Sequence, residues 1–317
     1  MSNQARGGET LPGGSPGPSS GAQCTKPKQL TLGTWNVRTL LGRETELVRQ
    51  VELYKLDLVG LTETRSLRTG AKTLDSGWTL FFSGAARTHA GVGILINPRL
   101  RASWLEFTPV DERVVSLRLR VIGGEKTLTV VCAYAPCNEK KYPAFLEILS
   151  KVLSKVPEGD FVVLLGDFNA HVGNKTDKLP DVIGRHGLPK RRPNGTLLLN
   201  FCARHSFSIT NTMFEQVDPH TWHCDKFDEK TGITKKETSL IDFVIVPSSR
   251  MLHVLDTRVE RGAVLETDHY LVVSQITLDE PAVPITTNPN TIPPFTKDDS
   301  EDDLAGSLKV LSFKKKK

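Results

Sequence analysis

The chain has few cysteines, and their arrangement argues against a cross-linked or zinc-bound domain. The five cysteines form no CxxC pair, and an odd one is left over, so neither a disulfide framework nor a zinc site is indicated. A reducing compartment suits this usage best. The nucleus and the cytoplasm both meet this condition; we expect a nuclear protein, and a cytoplasmic one stays possible.

Long apolar runs are also missing. The N-terminal residues lack the apolar segment of a signal peptide, and no run approaches the length that spans a membrane. We therefore expect neither secretion nor a membrane partner. Hydrophobic residues make up 38% of the 317, enough for one large core, and the net charge of +5 suits a polyanionic partner without identifying it.

Composition divides the chain into three parts. Residues 1–28 are rich in Gly, Pro and Ser and lack hydrophobic periodicity, which predicts a disordered tail. Residues 29–279 carry the apolar pattern of one large domain. Residues 280–317 become rich in Pro and Asp and end in four lysines, which predicts a second tail with a basic end.

Short apolar runs predict more strands than helices. The predicted strands span residues 30–37, 57–61, 91–97, 114–121, 128–134, 161–165, 241–246 and 271–278. Apolar positions with helical spacing predict one helix around Leu47 to Tyr54 and another around Phe145 to Leu153, and a third is expected from Asn194 to about Arg204. The strand spacing is too irregular for a barrel of repeated βα units. The pattern predicts an α/β sandwich of two packed β-sheets flanked by helices.

Six short segments carry polar residues suited to phosphodiester chemistry, mostly just after apolar strand-like runs. Each of them alone also has an ordinary structural explanation, such as a strand-end carboxylate, a turn or a surface histidine. Their joint occurrence and order favour a functional site. The segments are Trp35-Asn36-Val37, Leu61-Thr62-Glu63-Thr64, Ala133-Tyr134-Ala135-Pro136, Gly166-Asp167-Phe168-Asn169, Ile241-Asp242-Phe243-Val244 and Thr267-Asp268-His269.

Oxygen ligands among these residues indicate a magnesium site. Magnesium takes hard oxygen donors, often one or two carboxylates. Glu63, directly after an apolar run, is the first candidate ligand, and Asn36 at the end of the first strand is the second. Asp268 is placed near the metal or the attacking water. We expect Mg²⁺ as the cofactor, with Mn²⁺ as a possible substitute.

The remaining residues of the set can supply acid, base and charge. Asp167 can orient or deprotonate the attacking water, while the amide of Asn169 can donate to a phosphate oxygen. The hydroxyl of Tyr134 can donate to the phosphate or to the leaving oxygen. A charged His269 can stabilise the transition state, provided that a carboxylate holds its proton, and Asp242 is the candidate partner.

The six segments together resemble the signature of the endonuclease/exonuclease/phosphatase superfamily. The resemblance spans most of the chain and implies a four-layer, DNase I-like sandwich and a metal-dependent phosphodiesterase. The Tyr134-Ala135-Pro136 segment resembles the abasic-site endonucleases and the retrotransposon endonucleases. The secreted nucleases and the sphingomyelinases carry histidine at the position that matches Tyr134. Gly33-Thr34-Trp35-Asn36-Val37-Arg38 and Thr267-Asp268-His269-Tyr270 look most like the endonuclease domains of RTE-type non-LTR retrotransposons.

That resemblance implies DNA as the partner and single-strand nicking as the reaction, with 3′-hydroxyl and 5′-phosphate ends. Thr221 and Trp222 resemble a segment that lies at the DNA surface in such endonucleases. No Tyr-x-Asp-Asp polymerase signature occurs, so a reverse transcriptase would have to come from another chain. The basic run Lys190-Arg191-Arg192 can follow a DNA backbone, although such a run taken alone is more often a solvated loop, and it could equally be a nuclear address.

Two other functions stay open at this stage. One keeps the fold and changes the substrate, as in an abasic-site endonuclease or another phosphodiesterase. The other is a domesticated, non-catalytic module that binds nucleic acid or protein. Decay at the metal and catalytic positions would favour the non-catalytic module, and all eight of those positions carry a suitable residue.

Overall fold

The computed structural model describes residues 29–86, 89–121, 126–229 and 232–278. Both predicted tails lie outside this part of the chain. Its helices are α1 (Glu44–Leu53), α2 (Tyr142–Leu153) and α3 (Pro193–His205). Its strands are β1 (Gln29–Asn36), β2 (Leu58–Thr62), β3 (Gly70–Thr73), β4 (Thr79–Ser83), β5 (Val92–Ile96), β6 (Trp104–Pro109), β7 (Val114–Val121), β8 (Lys126–Tyr134), β9 (Phe161–Asp167), β10 (Phe207–Ile209), β11 (Trp222–Asp228), β12 (Ile233–Ser239), β13 (Asp242–Pro247), β14 (Val254–Glu260) and β15 (Leu271–Thr277).

Most of the strands form two mixed sheets. The first sheet has the order β14-β15-β1-β2-β5-β4-β3, in which β1 and β2 are parallel. The second has the order β10-β13-β9-β8-β7-β6, in which β8 and β9 are parallel. Their inner strands are continuous apolar runs because both faces are covered; β2 and β5 are buried along their whole length.

The third sheet is a hairpin of β11 and β12. Its second strand is exposed at every position except Ser239. None of its described residues belongs to the apolar clusters of the core, and its first residue, Trp222, forms a β-bridge with His269 just before β15. This position matters for the cleft described below.

Three apolar clusters show how the layers pack. One lies between the two sheets and includes Leu32, Leu58, Val130 and Leu165. A second joins α1 to the outer face of the first sheet, and a third joins α2 and α3 to the outer face of the second. The order of layers is therefore helix, sheet, sheet, helices. The predicted four-layer α/β sandwich is confirmed.

The eight predicted strands all exist; β7 has the predicted bounds, and the other seven differ from the prediction by one or two residues at one or both ends. The largest correction is that β9 includes Gly166 and Asp167, so that Asp167 is the last residue of a strand and does not lie in the loop after it. Seven strands were not predicted, and all of these except β4 lie at a sheet edge or in the hairpin. Edge strands such as β3 and β6 are mostly exposed, so they carry no strong apolar signal. None of the described helices combines the length and hydropathy needed to cross a membrane.

Candidate active site

The topology brings the polar segments to one end of both sheets. Parallel strands end at the same edge, and an antiparallel neighbour begins there. Tyr134 and Asp167 are the last residues of β8 and β9 and lie in register. Asp242, the first residue of antiparallel β13, is paired with Asp167. Asn36 ends β1 in the other sheet, so the two sheets meet at this edge with their functional side chains together.

The side-chain amide of Asn36 connects two carboxylates. Its Nδ2 donates to Oε1 of Glu63 at 3.0 Å and to Oδ2 of Asp167 at 2.9 Å. The hydroxyl of Tyr134 donates to the same Oε1 atom of Glu63 at 2.9 Å. A single hydrogen-bonded network thus joins the ends of β1, β8 and β9 to the residue after β2.

His269 and Asp242 form a buried pair beside this network. Nδ1 of His269 lies 2.9 Å from Oδ2 of Asp242, and its Nε2 lies 3.9 Å from Oδ2 of Asp167. The indole N–H of Trp35 donates to the backbone carbonyl of His269 at 3.0 Å. These contacts fix the ring with Nδ1 on Asp242 and Nε2 directed toward Asp167.

Burial and the carboxylates determine how these groups titrate. Burial lowers the pKa of His269, but Asp242 and Asp167 outweigh burial and raise this pKa to about 9. Burial, reinforced by the charge of Asp242, raises the pKa of Asp167. Burial and the nearby Glu63 carboxylate raise the pKa of the Tyr134 hydroxyl. At neutral pH the site therefore holds a charged imidazolium and a neutral phenol, both of them hydrogen-bond donors.

Replacing Asp242 by Asn is expected to lower the pKa of His269, because Asp242 is the carboxylate that raises it most. The measurement is an NMR titration of the imidazole in protein treated with EDTA. Asp268→Asn is the matched control, since Asp268 contributes least of the three carboxylates and should give the smaller shift.

The same shift gives a pH window for stability. The folded pKa of about 9 lies above the unfolded value of about 6.5, so the pair stabilises the fold fully below pH ~6.5. That stabilisation is lost as pH rises through about 9, because the imidazole then loses its charge. The difference in unfolding free energy between the wild type and Asp242→Asn should therefore become smaller between pH ~6.5 and pH values above about 9. An unchanged imidazole titration in Asp242→Asn would contradict the pairing.

Three residues at the cleft adopt a backbone conformation that side chains rarely allow. Arg38, Glu63 and Asn169 have φ values of 58°, 52° and 45°, in the left-handed region. For residues other than glycine this costs on the order of 1 kcal/mol each. All three follow shortly after a strand and line the same cleft, so the left-handed turn aims their side chains into it. Strain of this kind concentrates at functional sites.

In the Gly166-Asp167-Phe168-Asn169 segment, the first and last residues have roles that depend on their residue type. Gly166 has a φ of +148°, and a Cβ there would lie 1.8 Å from the carbonyl oxygen of Ala133. Glycine therefore allows β8 and β9 to pair right beside Asp167. The backbone N–H of Asn169 donates to Oδ1 of Asp167 at 2.9 Å, and its Nδ2 donates to the Ala135 carbonyl at 2.9 Å. Within the described part of the chain, the second Nδ2 proton has no acceptor and can serve a ligand.

The donor set at the cleft fits a hard divalent cation. Glu63 uses Oε1 for two hydrogen bonds, and among the described residues its Oε2 has only a loose ion pair with Arg65 at 3.7 Å. Asp167, Asp242 and His269 also bring ligand atoms within 4.8 Å of one another. Within that trio, Oδ1 of Asp242 is buried and has no hydrogen-bond partner in the described part of the chain. Carboxylate oxygens predominate, as magnesium-type ions require.

The cleft has a volume of about 460 Å³ and includes residues that the sequence did not indicate. His171 is one of them; burial, with Arg192 and Lys190, lowers its pKa to about 4, and its Nε2 pairs with the Ser239 hydroxyl at 2.8 Å. Arg38 and His171 lie within two residues of predicted segments. Their closeness to those segments in the sequence is the feature that could have placed them at the cleft. The unpredicted polar residues of the cleft are Arg38, Cys137, His171, Lys226, Glu237 and Ser239.

Comparison with protein families identifies this arrangement. The model described as "Endonuclease/Exonuclease/phosphatase family" matches residues 33–269, from the first strand to His269. The chain belongs to this family. The prediction from the six segments is therefore confirmed at the level of the family.

Curated relatives of this endonuclease/exonuclease/phosphatase family member cover nearly the whole chain. Craniofacial development protein 2 of Bos taurus is 27% identical over 306 residues, which are 95% of this chain and 49% of that protein. The protein of the same name from Tragulus javanicus is 27% identical over 301 residues, 93% of this chain and 49% of that protein. The chain thus spans about half the length of the curated relatives it matches.

Solved structures share the fold at low identity. The endonuclease domain of TRAS1, a telomere-specific non-LTR retrotransposon, superposes with a TM-score of 0.58 at 17% identity, over 79% of this chain and all of that domain. An AP endonuclease from Archaeoglobus fulgidus gives 0.54 at 17% identity, over 77% of this chain and 98% of that one. These likenesses establish the DNase I-like fold of this family member.

Thr221 differs from its sequence-based prediction. It was expected at a DNA surface, but its side chain is fully buried. Its hydroxyl oxygen accepts hydrogen bonds from the backbone N–H groups of Ile241 and Asp242, each at 3.1 Å. In the structure the Thr221 side chain therefore holds the backbone at Ile241 and Asp242 and is not exposed at the surface of the cleft. Trp222 is half-buried and lines the cleft, where its indole N–H donates to Oδ2 of Asp268 at 2.9 Å.

The three residues of the basic run, Lys190 to Arg192, have different surroundings in the structure. Arg192 lines the cleft, and Lys190 lies beside it next to His171. Arg191 is instead held by the protein, since its Nε donates to the Val172 carbonyl at 2.7 Å and its guanidinium also reaches the Lys175 carbonyl at 3.3 Å. Arg192 and Lys190 thus remain candidates for DNA contact, whereas the Arg191 side chain mainly holds its own loop.

Proposed function

We propose that the protein is a magnesium-dependent DNA endonuclease that nicks one strand and leaves 3′-hydroxyl and 5′-phosphate ends. The observation that carries the proposal is the buried, charged His269–Asp242 pair, with Nε2 of His269 3.9 Å from Asp167. The Asn36–Glu63–Tyr134 network faces the same cleft. One cleft thus offers a base, a charged donor, a neutral donor and metal ligands.

The chain's own residues can accept the proton of the attacking water and can donate hydrogen bonds to the phosphate and to the leaving oxygen. Asp167 accepts a proton from the attacking water, whose oxygen forms the new bond to phosphorus. The Nε2–H of His269 donates to a phosphate oxygen on which charge develops. The Tyr134 hydroxyl donates a hydrogen bond to the leaving 3′-oxygen as the P–O bond breaks, and this oxygen then takes a proton from solvent water to become the 3′-hydroxyl.

Glu63 and Asn36, with Asp268, are the residues proposed to hold the metal. A bound Mg²⁺, or Mn²⁺ in its place, would neutralise charge on the phosphate. Asn36 contributes further by holding the Glu63 and Asp167 carboxylates apart and in fixed orientation through its bridging amide. The left-handed turn at Glu63 supports the same assignment, because it directs this carboxylate into the cleft.

The surroundings of the cleft favour a long polyanionic substrate. Arg192 and Lys226 line it, and the exposed strand β12 beside it carries Lys235 and Lys236. Glu237 pairs with Lys226 at 2.8 Å and offsets part of this charge. Basic groups spread along a hairpin suit a nucleic-acid backbone better than a small headgroup. A nuclear location, and a reverse transcriptase supplied by another chain, belong to the same proposal.

Replacing Arg192 by Ala is expected to weaken DNA binding for every sequence and to reduce the salt slope of binding by about 1, the change for one lost phosphate contact. Fluorescence anisotropy at several salt concentrations measures both. Arg191→Ala is the matched control: it should leave the slope unchanged and destabilise the fold by about 1 kcal/mol, because the two carbonyls lose their donor. If the wild type and Arg192→Ala had equal salt slopes of DNA binding, Arg192 would not contact a DNA phosphate.

The end groups of the product test the proposed reaction. Nicked plasmid from a reaction with Mg²⁺ should be resealed by DNA ligase without prior treatment, because ligation needs a 3′-hydroxyl and a 5′-phosphate. Nicks made by a nuclease of known end chemistry serve as the control. Product that ligase closes only after phosphatase and kinase treatment would contradict the proposed bond cleavage.

A further inference from the structure

A three-residue segment, Thr221–His223, lies where the two sheets meet at the cleft. We call these residues the strap. Trp222 forms an isolated antiparallel bridge with His269, in addition to its pairing with Ser239 in the hairpin. The strap is thus bonded to the segment that carries the catalytic histidine. Its other contacts reach the segment that carries Asp242.

Thr221 holds the start of β13. Its hydroxyl oxygen accepts from the backbone N–H groups of Ile241 and Asp242, each at 3.1 Å, and its own N–H donates to the Ser239 carbonyl at 2.8 Å. The side chain is fully buried, so no water competes for these bonds. The hydroxyl therefore fixes the backbone from which the Asp242 carboxylate projects.

The same three residues hold the segment on either side of His269. The carbonyl of Thr221 accepts from the N–H of Tyr270 at 2.7 Å, and the N–H of His223 donates to the carbonyl of Asp268 at 3.1 Å. The indole of Trp222 donates to the carboxylate of Asp268 at 2.9 Å. Both residues that flank His269 in the chain are therefore attached to the strap.

A stack of side chains secures the strap from outside. The ring of His223 stacks on Tyr270 with centroids 5.0 Å apart, and the guanidinium of Arg261 lies 4.4 Å from the centroid of the Tyr270 ring. Cation–π and stacking contacts of this kind favour one relative placement of the groups. They add a side-chain contact to the backbone bonds between the strap and the His269 segment.

Asp242 begins a strand of one sheet, while His269 precedes a strand of the other. We propose that Thr221 is a positioning residue that sets the distance between Asp242 and His269 by bonding to both segments at once. This inference rests on the proposed function. It assigns no DNA contact to Thr221, whose expected effect on the rate comes from the placement of Asp242.

The test compares three variants with the wild type in steady-state cleavage of DNA with Mg²⁺. Thr221→Val keeps the shape and removes the acceptor, and it should lower kcat by about tenfold or more with KM for DNA unchanged, as small misplacements of catalytic groups do. Thr221→Ser restores the hydroxyl and should recover kcat to within about twofold. If Thr221→Val does not fold, Thr221→Ala takes its place.

Thr210→Val is the matched control. Thr210 is equally buried, and its hydroxyl donates to the Val244 carbonyl of the same strand at 2.9 Å, away from Asp242. This variant should lose thermal stability to a similar degree while kcat stays unchanged. A rise in KM at constant kcat in Thr221→Val would make Thr221 a DNA contact. Equal loss of kcat in Thr210→Val would make both residues merely structural.

A spectroscopic readout keeps this inference separate from the proposed function. The proton on Nδ1 of His269, held by Asp242, should give a downfield NMR signal in the wild type, Thr221→Ser and Thr210→Val. It should be shifted or lost by exchange in Thr221→Val. If the wild type cleaves no DNA but the signals behave in this way, the proposed function fails and the positioning role stands. A signal unchanged in Thr221→Val would overturn the positioning role.

Discussion

Replacing His269 by Ala is expected to lower the single-turnover rate of DNA nicking by about a hundredfold or more, the scale seen when one charge-stabilising donor is removed. His269 is buried, its pKa is raised to about 9, and its Nε2 faces Asp167 at 3.9 Å. DNA affinity should change little, because this donor acts on charge that develops in the transition state. His253→Ala is the control: His253 is also buried, but its Nδ1 pairs with the carbonyl of Thr277, the last residue of β15, and His253 does not line the cleft. Nearly full activity in His269→Ala would remove this residue from catalysis.

The pairing of His269 with Asp242 can be tested with a double variant. Residues that act as a unit show strongly non-additive losses. The double variant His269→Ala with Asp242→Asn should therefore be scarcely slower than His269→Ala alone. Independent, multiplicative losses would mean that Asp242 is a structural carboxylate at the start of β13 and does not act through the imidazole.

Replacing Glu63 by Ala should remove most of the activity, on the order of a hundredfold or more, because the metal would lose its proposed carboxylate ligand. The fold should persist, since Glu63 follows the end of β2 and its hydrogen bonds come from cleft groups that water can satisfy. Nicking rate and melting temperature are measured on the same preparations.

Two further variants locate the cause of that loss. Glu63→Gln keeps an oxygen acceptor for Asn36 and Tyr134 but removes the charge, so it should be as inactive as Glu63→Ala and as stable as the wild type. Glu139→Ala, an exposed glutamate, should change neither quantity. Full activity in Glu63→Ala would mean that Glu63 does not hold the metal, and Asp167, Asp242 and His269 would become the candidate ligands.

The sequence was most informative where a strand is buried on both sides. Apolar runs such as β2 and β9 predicted the layers, and the polar residues at their ends predicted the cleft. The Asp242–His269 pair was expected from chemistry alone, and its side chains lie 2.9 Å apart. These features are encoded locally, in a run and the residue that follows it.

The rest depended on contacts that no local pattern records. Thr221 is hydrogen-bonded to Ile241 and Tyr270, which directly precede β13 and β15, so the residues around Thr221 in the sequence could not predict that it is buried. The left-handed backbone at Glu63 is likewise imposed by its surroundings, because non-glycine residues rarely adopt it alone. Edge strands such as β6 exist through pairing with a neighbour and carry little apolar pattern.

The most direct measurement of the central proposal is conversion of supercoiled plasmid to nicked circles by the purified protein. With Mg²⁺ the wild type should produce open circles, with Mn²⁺ it should also do so, and excess EDTA should stop the reaction, because the cleft offers carboxylate and amide oxygens as ligands. His269→Ala prepared in parallel guards against a contaminating nuclease. Robust nicking in EDTA, or equal nicking by wild type and His269→Ala, would contradict a metal-dependent site built on these residues.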